Sequence, residues 1–185
     1  MSDLDNLGFN GAIPDGVSIK ENINRALEYR DTHTPAETAW WFYNVVRNNK
    51  DGHLTPDQSM DYKQIDPSYA DFGNFNFGAV GKALGFSDLA LEYGAGLAQG
   101  RADGLQWDEA VVRAILDTEN KGDNPGDQDL IKAGAQAVKD VGMASWNLGI
   151  GDIFGRKFDL GGSGGIVAIS PELGNNPIPL VKTIR

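Results

Sequence analysis

Asp71-Phe72-Gly73-Asn74-Phe75-Asn76-Phe77-Gly78 is the stretch on which the reading of the fold turns. Its phenylalanines alternate with small or amide residues, which is the period of a strand. Asn and Gly, however, are poor strand formers and good turn formers. A segment carrying that conflict is held by its surroundings. Its glycines let another backbone approach, and Asn74 and Asn76 offer amide donors and acceptors. The competing reading is an aromatic plug at a helix start, with the amides as caps.

Outward from this stretch the pattern is helical. Ser18-Ile19-Lys20-Glu21 has the spacing of a capping box, and Ile19, Ile23, Ala26 and Leu27 then share a helix face. Thr34-Pro35-Ala36-Glu37 is a stronger start, because Pro35 fits the first turn. The helix it opens carries Trp40, Trp41, Phe42, Val45 and Val46, so it is expected near the centre. Residues 48–70 read as loop, with at most a short helix after Pro56. A helix from Asn74 to Leu84 closes at Gly85. Ser87 starts another to about Gln99, Trp107–Leu116 is amphipathic, and Asp127 or Asp129 starts a long helix to about Met143. Leu130, Ile131, Ala135 and Val138 of that helix should turn inward. After Trp146 the chain becomes rich in Gly and Pro, and residues 166–169 form its one convincing strand. The expected fold class is mainly α (α+β). It comprises a flexible N-terminal arm (1–16), a compact helical domain (17–146) and a small Gly-rich, partly β C-terminal appendage (147–185).

Composition narrows the chemistry. The chain has 185 residues, 41% of them hydrophobic, enough for one domain with a real core. There is no Cys, which removes disulfides, thiol nucleophiles and Cys-ligated metals, and only His33 and His53 supply imidazole. No apolar run reaches the length of a membrane span. The acidic, polar start Met1-Ser2-Asp3-Leu4-Asp5 does not read as a signal peptide. A net charge of −10 weighs against a large nucleic-acid footprint.

Three polar clusters stand out. Asn48 to Thr55 resembles a calcium loop, but Arg47 would fall at its first ligand position, so an Asp-Gly turn is the better reading. Asp61-Tyr62-Lys63-Gln64 holds an acid and a base that are either a surface ion pair or a catalytic couple. Asp123, Asp127 and Asp129 precede a helix and read as caps and dipole partners rather than metal ligands. No cofactor or metal is expected, and there is no phosphate loop, dinucleotide fingerprint or serine elbow.

In order, Trp41-Phe42-Tyr43-Asn44-Val45-Val46-Arg47, Asp61-Tyr62-Lys63-Gln64, Tyr69 to Gly81, Gly96-Leu97-Ala98-Gln99 and Gly122-Asp123-Asn124-Pro125-Gly126-Asp127-Gln128 resemble the bacterial polymorphic toxin type 44 domain. The resemblance spans roughly residues 20–137. The chain departs from it by a longer insert at 48–60 and by the Gly-rich tail after residue 146. What the resemblance implies is the killing tip of a polymorphic toxin, paired with an immunity protein and carried by delivery machinery. The polar residues matching its pattern are Asp61, Lys63, Asp71, Asn74, Asn76, Gln99, Asp123 and Asp127.

The expectation is therefore an antibacterial effector, exported without a signal peptide and acting in the periplasm or cytosol of a target cell. The favoured activity is hydrolysis of cell-wall peptidoglycan by carboxylate acid/base chemistry, which needs neither His, Cys nor metal. Asp61, Lys63 and Asp71 are the expected catalytic residues, with Asn74, Asn76, Gln99 and Tyr62 binding substrate. A ribonuclease toxin is the first alternative, with RNA in place of wall glycan. A non-enzymatic structural or adaptor module of a secretion or phage-like apparatus is the second.

Overall fold

The computed structural model describes residues 6–47 and 58–142. The strand and appendage expected after residue 146, and the Asp-Gly turn at 48–55, lie outside the described residues. Within them there are six α-helices and no strand, so the helical part of the expected fold class stands.

Local chemistry sets most of the boundaries. Helix α1 (Ile19–Thr32) starts where the Ser18 hydroxyl accepts the Glu21 N–H at 3.3 Å. Helix α2 (Pro35–Phe42) begins with a complete capping box: Thr34 accepts the Glu37 N–H, and the Glu37 carboxylate accepts the Thr34 N–H at 2.8 Å. α2 then widens into a π-helical turn, Tyr43–Arg47. The Met60 N–H donates to the Val45 carbonyl at 2.7 Å and fastens residues 58–61 to that turn. Two 3₁₀ turns follow, Tyr62–Gln64 and Pro67–Tyr69. They lead into α3 (Ala70–Ala83), α4 (Asp88–Ala102, capped by Ser87), α5 (Trp107–Leu116) and α6 (Asp127–Asp140).

The deciding stretch is helix throughout. α3 begins four residues before Asn74, so neither the strand period nor the capping role of the amides holds. Burial explains the misleading pattern. Every residue from Asn74 to Ala83 is buried, and a helix enclosed on all sides has no polar face to give it a 3.6-residue signature. Phe72 and Phe75 pack against Phe9, and Phe77 against Phe42. Phe9 thus brings residues 6–17, read as an arm, onto the core together with Leu7, Ile13 and Val17.

Glycines at the contact let α3 sit so deep. A Cβ on Gly78 would collide with the Ile131 carbonyl of α6, and one on Gly134 would collide with the Phe75 carbonyl of α3. The two backbones touch with no side chain between them. Beyond the crossing, Lys82 of α3 and Lys139 of α6 both pair with Asp88, at 3.0 and 2.7 Å. Their C-terminal ends therefore lie together, and the helices run in the same direction. Asn74 stands one turn before Gly78, and Asp127 about two turns before Gly134, at the shared N-terminal end.

Gly78→Ala or Gly134→Ala should lower stability by about 1–3 kcal/mol or more, since backbone atoms must give way. Gly94→Ala, on the same class of helix but with nothing near its Cβ, should instead raise it by about 0.5–1 kcal/mol. Urea midpoints for the three variants check this; equal effects would mean that helix propensity, not contact, decides.

Candidate functional site: charged groups at the N-terminal ends of two helices

Three chain segments meet at the N-terminal end of the α3–α6 pair. The first is the end of the π-helical turn, which supplies Arg47. The second is the piece fastened to it through Met60, which supplies Asp61 and Lys63. The Asp61 N–H donates to the Ser59 hydroxyl at 3.1 Å, and Asp61 is itself buried. The backbone nitrogen of Lys63 lies 4.0 Å from the Cβ position of Gly73 on α3.

The third segment is the loop from α5 to α6, and its shape is fixed from within. The Asp117 carboxylate accepts the N–H groups of Glu119, Asn120 and Gly122 at 3.2, 2.8 and 3.2 Å. These bonds, that from Asn120 foremost, hold its carboxyl below the usual range. Lys121 and Gly122 take left-handed conformations, φ 54° and 85°. The Lys121 carbonyl rests on Gly96 of α4, where any Cβ would collide with it. Arg113 donates to the Gly122 carbonyl at 2.5 Å and pairs with Asp103, which in turn accepts from Gln99 at 2.8 Å. The product is Asp123, delivered into a buried position.

The charges there act on one another. Burial pushes the Asp123 carboxyl up; Arg47, the Asn124 N–H and Lys63 oppose the rise, and Asp127 adds to it. Burial likewise pulls the Lys63 ammonium down, Arg47 adds to the fall, and Asp61, Asp123 and Asp127 resist it. A carboxyl raised and an amine lowered are both brought toward neutrality, the condition for general acid and base work. Two buried polar atoms of this cluster have no hydrogen-bond partner among the described residues, Arg47 Nη2 and Gln128 Oε1. Such atoms are rare in folded proteins.

The residues expected from sequence fall into three groups. Asp61 and Lys63 belong to the charge cluster. Asp71 is exposed in the first turn of α3, at the same end; Asn74 is buried one turn further on. Tyr62, Asn76 and Gln99 make supporting bonds. Asn22 of α1 donates to the Tyr62 hydroxyl at 2.7 Å and to the Asn76 side-chain oxygen, Oδ1, at 2.8 Å. Burial pushes the Tyr62 hydroxyl up to about 12. This bridge fixes the segment carrying Lys63 against α3.

The residues missed are Arg47, Asp123 and Gln128 in their present roles. Asp123 was counted among caps. The N-cap of α6 is instead Gly126, at φ 91° with no side-chain cap, and Asp127 and Asp129 occupy the first turn. The signal that could have found all three is their place inside the ordered motifs, Arg47 ending one and Asp123 and Gln128 in another. Among the described residues no group of three or more His, Asp or Glu is placed to hold a metal ion, and no helix is long and apolar enough to cross a membrane.

Comparison with known proteins agrees with the motifs. The family described as bacterial toxin 44 matches residues 30–140, which contain every charged group of the cluster. No curated protein and no solved structure matches the chain.

A raised Asp123 makes a signed prediction for stability. The folded chain holds a proton that the unfolded chain has already released, so folding loses stability as pH rises from the ordinary aspartate value near 4 through the raised one. Asp123→Asn has no such proton. Denaturation midpoints between about pH 4 and 7 should therefore show wild type losing stability relative to Asp123→Asn as pH rises. A difference that is flat, or that runs the other way, would mean hydrogen bonds outweigh burial at this carboxyl.

Proposed function

The chain belongs to the bacterial toxin 44 family, and from that membership we propose that it is an antibacterial effector hydrolysing the glycan of the bacterial cell wall. The observation that carries this reading is the buried Asp123, raised toward neutrality, in one cluster with a second buried carboxylate, Asp61, both acting on Lys63. Glycosidic bonds are cleaved by such pairs: one carboxyl protonates the leaving oxygen, and the other acts as base or stabilises the developing positive charge. Asp123 takes the acid role because its surroundings favour the protonated form. Asp61 takes the other. Lys63 and Arg47 supply donors to substrate oxygens, and Arg47 still has an unpaired buried Nη2. Asp71 and Asn74, at the same end of α3, border the substrate, while Gln99, Tyr62 and Asn76 hold the frame. The net charge of −10 favours a wall glycan over a polyanion.

One observation favours a second reading. Arg47 and Lys63 together are two cations beside an acid, a set that suits a phosphodiester, and a ribonuclease would use them on the phosphoryl oxygens. In either case the partners are a cognate immunity protein and a delivery apparatus. Wall hydrolysis places the action in the target periplasm, and RNA cleavage places it in the cytosol.

Purified protein incubated with cell-wall sacculi and, separately, with total RNA distinguishes them. Soluble sugar-peptide fragments should appear from sacculi while RNA stays intact. Asp123→Asn and Asp61→Asn should each cut fragment release by about a hundredfold or more with melting close to wild type. Cleaved RNA with intact sacculi would transfer the assignment to the ribonuclease.

A further inference from the structure

The Gln128 side chain is 2% exposed and spends both amide hydrogens on acceptors. Nε2 donates to the Glu92 carbonyl of α4 at 3.1 Å and to Asp123 Oδ2 at 3.2 Å. Neither acceptor could face an amide oxygen without repulsion, so their positions set the direction of the amide. Its own oxygen, Oε1, is left buried without a partner. The other Asp123 oxygen, Oδ1, accepts the Asn124 N–H at 3.0 Å. Each carboxylate oxygen thus accepts one N–H, an arrangement that favours the charged form.

We propose that Gln128 is a positioning residue that governs the protonation of Asp123, holding the carboxylate through its amide N–H and thereby favouring its charged form. In the charged state the amide stands as seen. Protonation at Oδ2 would compete with that N–H bond, and the Glu92 carbonyl keeps the amide from turning its oxygen toward the carboxyl. The remaining influences on Asp123 come from fixed places: Arg47 and Lys63 favour its charge, and Asp127 and burial oppose it. The Glu92 carboxylate is turned away toward Lys132, at 3.9 Å. The catalytic meaning of this device rests on the acid role given to Asp123 above; the device itself does not.

The test uses the intact chain without substrate. The pH titration of the Asp123 carboxyl is followed by carbon NMR, and the Gln128 side-chain amide by nitrogen–proton NMR. In wild type the amide signals should move with the same midpoint as the carboxyl. In Gln128→Met, of similar volume but without donor or acceptor, the carboxyl midpoint should rise by about one to two pH units, the loss of one charge-assisted hydrogen bond. Amide signals indifferent to the carboxyl titration would overturn the proposal, and so would a midpoint that stays or falls in Gln128→Met. The wild-type measurement stands even if the variant does not fold. Failure to digest sacculi would sink the wall-hydrolase reading while leaving this result untouched.

Discussion

The backbone contact between α3 and α6 at Gly78 and Gly134 is the constraint on which the rest depends. Two helices whose main chains touch have little freedom to slide or roll, because no side chain remains to repack. Their common direction, locked by Asp88 between Lys82 and Lys139, brings two helix N-termini to one end. The α5–α6 loop arrives there because α6 begins there. A second close contact of the same kind, Gly96 against the Lys121 carbonyl, holds that loop on α4. Remove either contact and Asp123 has no reason to be buried beside Lys63.

The packing also explains how the chain tolerates a poor central helix. α3 contains Gly73, Gly78 and Gly81, each costing about 1 kcal/mol in helix propensity relative to Ala. Phe72, Phe75 and Phe77 offset this by burial, at about 1.5–3 kcal/mol for a fully enclosed side chain. Asn76, 0% exposed with Nδ2 unpaired, works against the core. Its side-chain oxygen is nonetheless bonded to Asn22, which also reaches Tyr62. The chain keeps a costly buried amide where it fixes the entry to the segment that bears Asp61 and Lys63.

Much of the fold was legible where local chemistry decides. Ser18, Thr34 with Glu37, and Ser87 act as caps, and α5 spans the very residues its amphipathic pattern indicates. Ile131, Ala135 and Val138 are buried as their spacing requires. Legibility failed where tertiary burial overrides periodicity. Alternation in α3 imitates a strand because all sides of that helix are covered, and the positive-φ Gly126 displaced the Asp caps. The site was legible only in part. Asp61 and Lys63 flank Tyr62 in sequence and are chemically conspicuous. Arg47 ends an apolar helix and Gln128 hides inside an acidic motif, and only the parallel crossing brings them together.

Arg47 gives the cluster its direction. It acts on Lys63 and Asp123 in the same sense, favouring loss of the proton from each. Burial acts on them in opposite senses, favouring the neutral amine and the neutral acid. Asp61 and Asp127 help Lys63 keep its proton. The balance leaves two groups of opposite type, both displaced toward the middle of the pH scale and each sensitive to the other's charge. A proton moving on or off one alters the affinity of its neighbour. An isolated surface Asp–Lys pair would remain fully charged near neutral pH and do no proton chemistry. Burial by the glycine-mediated crossing, with the Arg47 guanidinium acting on both, brings this acid and this amine toward their neutral forms.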